Sequence, residues 1–336
     1  MPTIDFAIEL GTGNTSVYLR GNGIVLKEPT VIAFLGAVRR KFLRAVGKDA
    51  ARIVGKSPSG TLVISPVEAG IVVDPEAAVV LLNEFLRKCT PQAGVFSYKL
   101  RALVPVPDGL TGDERRTLMD VLLAAGVEET VLIETSLCAA VGAHLPVRST
   151  YGGAVINIGA GTTEIACLSA GGIAHGGSLN VGGKSMDAAV AKMVERVHKL
   201  QVGLPTAERI KLEVGSMFEN DNAEIVVSGT DTVSKSPSSA LVKSPEVFET
   251  LLPFYNRIAE TVESFIKKCP PELASDIYRT GVHLTGGGAQ VPGLKKLLSA
   301  RLKLPVHIPE NSEYACILGA GELLNDRDLL DALLVS

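Results

Sequence analysis

Three short glycine-rich turns carry the residue types in this chain that could hold a phosphate. The first is Gly11, Thr12, Gly13 and Asn14, placed after the apolar run Ile4 to Leu10. The second is Gly159, Gly161, Thr162 and Thr163, placed after AVINI, and the third is Gly286, Gly287 and Gly288, placed after Val282 to Leu284. A GxG turn between strands lets the backbone approach an anion closely, because glycine has no Cβ and tolerates positive φ while amide N–H groups turn toward the ligand. One such turn is weak evidence, but the first two are copies. Shifting FAIELGTGNTSVYL by 148 positions lays Glu9 on Asn157, Gly11 on Gly159, Gly13 on Gly161 and Thr15 on Thr163. The spacing predicts a duplicated domain whose two hairpins grip a phosphate chain from both sides, with the third turn supporting the rest of a nucleotide. None of the turns has the GxGxxG pattern with a following acidic residue, or the GxxxxGK[ST] loop, so neither a dinucleotide site nor a P-loop is expected.

The elements that must position these turns are those of an α/β protein with two lobes. A chain of 336 residues exceeds the length at which one core usually stops growing. Hydrophobic residues make up 46% and charged residues 21%, with a mean hydropathy of +0.28, yet no uncharged apolar run reaches the length of a membrane span. The start MPTIDFAIEL carries Asp5 and Glu9 and no basic segment, unlike a signal peptide, so a cytoplasmic location is expected. Cys89, Cys138, Cys167, Cys269 and Cys316 lack CxxC spacing and read as small core residues. A net charge of −3 argues against general attraction to nucleic acid, and the cluster Arg39, Arg40, Lys41 and Arg44 is short enough to be a solvated loop.

In chain order, a hairpin follows the first turn and a small, strand-rich subdomain runs to about Asp74. Pro75 opens a helix, Lys99 a strand, and Thr111 with Glu114 forms a capping box before a second helix. Strand Thr130 to Ile133 and a helical stretch from Ser136 to Gly142 complete the first half. In the second half, a helix after Gly183 is expected to bury Met186, Val190, Met193 and Val197. A longer one after Ser244 is expected to bury Val247, Leu251, Phe254, Ile258, Val262 and Phe265.

With these motifs in place, the chain resembles the bacterial actin homologue MreB family, within the wider actin, Hsp70 and sugar-kinase ATPase fold. IELGTGNTSVYLRGNGIVLKEPTVIAF is similar to the family's first phosphate motif. NIGAGTTE, PTAERIKLEVG, LTGGGAQVPGL and ACILGAGE are similar to its second phosphate loop, adenosine helix, adenosine loop and second connector. LIETSLCAAVGAHLPV is similar to the first connector, and AVGKDAARIVGKSPSG with EAGIVVDPE to the small upper subdomain. The resemblance implies an actin-like α/β fold of two duplicated lobes, each a central mixed sheet flanked by helices plus a small subdomain. The expected divisions are 1–31, 75–146 and 315–336 for the first base and 32–74 for its small subdomain. They are 147–182 and 245–314 for the second base and 183–244 for its small subdomain.

The resemblance further implies ATP with Mg²⁺ in the central cleft, self-association into protofilaments, and a role in cell shape at the inner face of the cytoplasmic membrane. Another MreB paralogue and cell-wall synthesis proteins are the further partners it implies. It carries phosphate contacts onto Gly11, Thr12, Gly13, Asn14, Gly159, Gly161, Thr162 and Thr163, and adenosine contacts onto Gly286, Gly287 and Gly288. Glu208 and Lys211, three apart on one helix face, would reach the ribose and purine, although their spacing alone also suits a solvated pair. Val95 and Phe96 fall where the family carries an apolar pair that dips into the membrane; by themselves they suit a core equally well.

Three departures from the family bear on hydrolysis. The family has aspartate where this chain has Glu9, which keeps a carboxylate but moves it relative to the metal. It has aspartate again where this chain has Asn157, which removes a charge from the pair that holds hydrated Mg²⁺. Its connector reads glutamate-glutamate-proline where this chain has Glu134, Thr135 and Ser136, so the glutamate that polarises the attacking water is replaced by Thr135. Thr162, which the family uses to position that water, is kept. The expectation is an ATP-binding filament subunit with weak or absent hydrolysis, or else a nucleotide-binding accessory that caps filaments of another MreB without polymerising.

Overall fold

The computed structural model describes residues 3–36, 42–90 and 98–334. Its first half starts with the strands β1 (Thr3–Leu10), β2 (Asn14–Leu19) and β3 (Gly23–Pro29). A small sheet follows, built from β4 (Ile32–Leu35), β5 (Phe42–Val46) and β6 (Thr61–Ile64), with the short helix α1 (Gly47–Ala51) between β5 and β6. The two-stranded pair β7 (Val67–Glu68) and β8 (Ile71–Val72) leads to α2 (Pro75–Cys89), β9 (Lys99–Val106), α3 (Gly112–Ala124), β10 (Glu129–Glu134) and α4 (Thr135–Gly142). The second half repeats the plan with β11 (Gly153–Ile158), β12 (Thr163–Ser169), β13 (Gly172–Leu179) and α5 (Gly183–His198). Next come β14 (Leu200–Gln201), α6 (Leu204–Val214), β15 (Glu224–Asp231), β16 (Pro237–Lys243), α7 (Ser244–Lys268) and α8 (Pro271–Thr280). The chain closes with β17 (Val282–Thr285), α9 (Leu294–Leu302), β18 (Val306–His307), α10 (Ala315–Asn325) and α11 (Arg327–Leu334).

The duplication is visible in the sheets. One has the order β3-β2-β1-β9-β10 and the other β13-β12-β11-β17-β18, each an antiparallel meander of three strands extended by two parallel ones. Parallel pairing needs a crossover, and helices supply it in both halves. Local chemistry explains where those helices start. Asp74 Oδ1 accepts from Ala77 N ahead of Pro75 in α2. Thr111 and Glu114 exchange the two hydrogen bonds of a capping box at α3, a device worth about 1 kcal/mol.

Three apolar cores follow from this layout. One fills each half, and the third lies between the sheets, where α4 and α10 are packed together among Ala7, Leu103, Val155 and Ala166. Glycine makes that crossing possible: a Cβ on Gly319 would overlap the Cys138 carbonyl oxygen, and one on Gly142 would overlap the Ala315 carbonyl oxygen. The two helices are therefore in backbone contact at the joint between the halves. Two stripes differ from the sequence expectation. On α5, Val194 is buried and Val197 is 49% exposed, in the last turn before the helix ends at His198 and the left-handed Lys199. On α7, Tyr255 and Ile266 lie in the core while Phe254 and Phe265 only flank it.

Candidate functional site

The two copied turns form the same hydrogen bond. Gly11 N donates to Asn14 O at 3.1 Å, and Gly159 N donates to Thr162 O at 2.8 Å. The last strand pairs before them also correspond, Leu10 with Thr15 and Ile158 with Thr163. The tips meet across the cleft in a reciprocal way. A Cβ built on Gly13 would lie 2.7 Å from the Ala160 Cβ, and one on Gly161 would overlap the Thr12 hydroxyl. Both tips therefore require glycine for a steric reason that only the pairing of two distant segments creates.

Neighbouring elements fix the turns. Thr12 Oγ1 accepts from Gly70 N at 2.8 Å, which ties the first tip to the β7–β8 hairpin. Thr30 Oγ1 donates to Gly11 O at 2.6 Å. On the other side, Gly183 N and Lys184 N donate to Gly159 O and Ala160 O, so the first turn of α5 holds the second tip. Thr163 is fully buried and donates to Val181 O at 2.7 Å, so its hydroxyl serves the turn from behind. Asn14 is exposed. The third turn follows β17, which runs beside β11 with Thr285 opposite Asn157. Gly286 has φ +83° and donates its N–H to Ser312 O, Gly288 packs on Ile158, and the face of Gly287 is open for more than 4 Å.

The two residues expected on the nucleotide's sugar and base part company. Glu208 is exposed on α6, while the Lys211 ammonium lies 2.7 Å from Asp187 Oδ1 and donates to Gly183 O at 3.2 Å. Lys211 thus joins α6 to the start of α5 and, through it, to the second glycine turn. Val95 and Phe96 lie outside the described residues, as do Arg39, Arg40 and Lys41.

Glu9 and Asn157, the residues expected near a metal ion, form a poor donor set. Burial pushes the Glu9 carboxyl up, against hydrogen bonds from the Cys316 thiol and the Ser16 hydroxyl and the charge of Lys27. Asn157, 7% exposed, accepts through Oδ1 from the Thr285 hydroxyl at 3.0 Å. A carboxyl drawn toward its neutral form and a neutral amide are a poorer fit for a hydrated divalent cation than two carboxylates. At the connector, Thr135 is the first residue of α4, and Glu134 is committed elsewhere: its Oε1 pairs with Arg115 Nη2 at 3.0 Å.

Beside Thr135 the structure brings together two acids for which the sequence carries no evident role. Asp108 N donates to Glu164 Oε2 at 3.1 Å, and Asp108 Oδ1 accepts from Ser136 N at 3.3 Å. Ser178 Oγ donates to Glu164 Oε1 at 3.0 Å, and the Thr162 hydroxyl donates to the same carboxylate. Asp108 is 7% exposed and Glu164 1%, and Asp108 Oδ2 is buried with no hydrogen-bond partner. Burial, with the negative charge of Glu164 next to it, pushes Asp108 up to about 7, and burial raises Glu164 as well. The signal for Asp108 is hidden in Pro107-Asp108-Gly109, a sequence that reads as an ordinary turn.

Known proteins share both the sequence pattern and this architecture. The family model described as MreB/Mbl protein matches residues 3–332. The "Cell shape-determining protein MreB" of Pasteurella multocida (strain Pm70) is 38% identical over 332 residues, covering 97% of this chain and 94% of that protein. The "Cell shape-determining protein Mbl" of Bacillus subtilis (strain 168) is 36% identical over 327 residues, covering 97% of each. Among solved structures, MreB5 of Spiroplasma citri bound to ADP superposes with a TM-score of 0.90 at 29% identity over 98% of both chains, and the AMPPNP-bound form does equally well. A MamK double helical filament matches with a TM-score of 0.80 at 18% identity, over 96% of this chain and 99% of that one, a likeness of fold.

Proposed function

The chain belongs to the MreB/Mbl family and has its actin-like fold, and on that premise we propose that it binds ATP between the two copied turns and assembles into filaments. The observation that carries this reading is the reciprocal contact of the tips, Gly13 against Ala160 and Gly161 against Thr12, which sets two anion-binding turns face to face. Gly11, Thr12, Gly13 and Asn14 would hold the phosphates from one side and Gly159, Gly161 and Thr162 from the other, with the buried Thr163 bracing the second turn from behind. Gly286, Gly287 and Gly288 would support the adenosine, with Glu208 and Lys211 on the ribose side. The similar Spiroplasma protein binds ADP and AMPPNP, which supports a nucleotide site in this chain too.

The proposed function extends to the four-part division of the chain, to weak Mg²⁺ binding at Glu9, and to slow hydrolysis through the loss of carboxylates at 135 and 157. It also includes a place at the inner face of the cytoplasmic membrane, reached through Val95 and Phe96, in company with cell-wall synthesis proteins and a role in cell shape. No helix among the described residues is long and apolar enough to cross a membrane.

Electron microscopy and pelleting of the pure full chain with liposomes test this directly. Filaments are expected on the lipid with ATP and not without nucleotide. A Val95→Ser, Phe96→Ser double variant is expected to form filaments in solution while staying off the lipid. Absence of filaments with ATP bound would instead make the chain a capping accessory of another MreB paralogue, and equal pelleting of the double variant would remove the membrane contact.

A further inference from the structure

Asp108 and Glu164 join the two halves of the molecule at the cleft. Asp108 follows β9 in the first half, Glu164 lies on β12 in the second, and the hydrogen bond from Asp108 N to Glu164 Oε2 crosses between them. The groups facing the pair come from the elements around it: Ser136 on α4, Ser178 on β13, Thr162 at the second tip, Asn157 opposite Glu164 on β11, and Glu134 at the end of β10. All are neutral or acidic. Among the described residues no lysine, arginine or histidine is within ion-pair distance of either acid, and the only cation in reach of Glu134 is Arg115.

Two adjacent buried carboxyls without a cation are costly as a purely structural device, since a buried charge is strongly unfavourable unless something neutralises it. A proton is the simplest neutraliser, and here a route for one exists. The half-buried Thr162 hydroxyl, at the phosphate tip, donates to Glu164, while Asp108 holds Glu164 from behind with its N–H and keeps a buried, unpartnered Oδ2 beside it. Ser136, whose N–H anchors Asp108, is the residue after Thr135. The carboxyl pair therefore sits at the connector where the side chain of Thr135 offers no base.

We propose that Glu164, positioned by Asp108, accepts a proton through Thr162 during ATP hydrolysis and stands in for the carboxylate absent at position 135. The proposal rests on the reading that ATP occupies the cleft. In the step, the oxygen of a water molecule bonds to the terminal phosphorus while the bond from that phosphorus to the bridging oxygen breaks, leaving its electron pair on ADP. The water's proton passes to Thr162 Oγ as the hydroxyl proton of Thr162 passes to Glu164. Glu164 and Asp108 act through Thr162 and are positioning residues in this scheme. A relay through a hydroxyl is slower than direct abstraction by a carboxylate, which agrees with weak hydrolysis.

The test measures ATP binding with a fluorescent analogue and phosphate release across pH in the full chain. The variants are Asp108→Asn, Glu164→Gln, and each of these combined with Thr135→Glu. The parent is expected to release phosphate slowly, with a rate that rises with pH through about 7, where Asp108 gives up its proton. Asp108→Asn should bind ATP as the parent does but lose that rise, and Glu164→Gln should slow release by roughly 10²-fold, the usual effect of losing a positioned base. In the Thr135→Glu background neither change should slow release by more than about 2-fold, because a direct base bypasses the relay.

A second readout uses the protein without nucleotide. A carboxyl whose value rises from 3.8 to about 7 on folding contributes stability below about pH 4 and loses it as pH climbs to about 7. The Tm advantage of Asp108→Asn over the parent should grow across that interval and stay level above it. If Glu164→Gln does not fold, Asp108→Asn alone decides the matter through its pH profile. Phosphate release at the parent's rate and with the parent's pH profile in a variant that binds ATP overturns the proposal. So does a parent that binds ATP and releases no phosphate. A parent that does not bind ATP removes the nucleotide reading, and the relay with it.

Discussion

Placing glutamate at 135 and aspartate at 157 together should accelerate phosphate release by about 10²-fold or more. That magnitude follows from the work each group does. A general base positioned on the attacking water contributes roughly 10²- to 10⁴-fold, and Thr135 cannot act as one. Glu134 cannot substitute, because it is paired with Arg115 on α3. At 157, an aspartate would keep the hydrogen bond from Thr285, since Oδ1 is the acceptor already. It would also return a charge to the proposed metal site, where an amide now accompanies a carboxyl raised by burial. Position 157 faces Glu164 across the β11–β12 pair, so the new aspartate destabilises the fold unless a cation screens the two charges. Single-turnover release at saturating ATP and Mg²⁺ measures the effect. A double variant that binds ATP and stays at the parent's rate would show that these positions do not limit hydrolysis.

The second large effect is on stability. Gly319→Ala should cost about 3 kcal/mol or more, at the upper end of what overpacking does to a core. The new methyl would meet the backbone carbonyl of Cys138, and a backbone atom cannot step aside as the end of a side chain can. Relief requires α4 and α10 to separate, and both lie in the core shared by the two sheets, so the loss spreads to the joint between the halves. For a chain of 336 residues that loss should lower the Tm by about 4 °C or more. Gly112→Ala is the matched control: it begins α3, its Cβ position is open for 4 Å, and its φ is not positive, so it should be neutral or slightly stabilising. Equal Tm values for the two variants would contradict the backbone contact between α4 and α10.

Much of this architecture is legible in the residues alone. The copy of Glu9 to Thr15 at Asn157 to Thr163 announces the duplication, and the matching sheet orders bear it out. Asp74 before Pro75, and Thr111 with Glu114, mark helix starts that the hydrogen bonds reproduce. Periodicity is less reliable at the end of a helix. Val197 continues the spacing of α5, but it lies in the last turn and is half exposed. On α7 the aromatic residues draw the expected stripe one position aside, onto Phe254 and Phe265, although Tyr255 and Ile266 face the core.

The parts of the candidate site that are not legible are contacts between segments far apart in the chain. Nothing in GTG or GAG says that each middle residue will touch the other turn's second glycine. Nothing in Pro107-Asp108-Gly109 says that its acid will reach Glu164, because turn chemistry accounts for an aspartate there without further cause. The family resemblance turns Lys211 toward a ligand, and the neighbour that engages it, Asp187, lies on another helix. The duplication leaves one asymmetry with chemical weight. In the first copy the carboxylate at Glu9 is paired across the strands with Ser16, and in the second an amide at Asn157 is paired with Glu164. The acid has moved from the first strand of the hairpin to the second, to the side where it meets Thr162 and Asp108.

The central claim is that the two facing turns form one nucleotide clamp, and equilibrium binding of ATP to turn variants tests it most directly. The full chain should bind ATP saturably. Gly13→Val and Gly161→Val should each weaken binding by more than about 10-fold, since each new side chain would press on the opposite tip, while Gly112→Ala binds as the parent does. Folded Gly13→Val and Gly161→Val proteins that bind ATP with the parent's affinity would contradict the clamp.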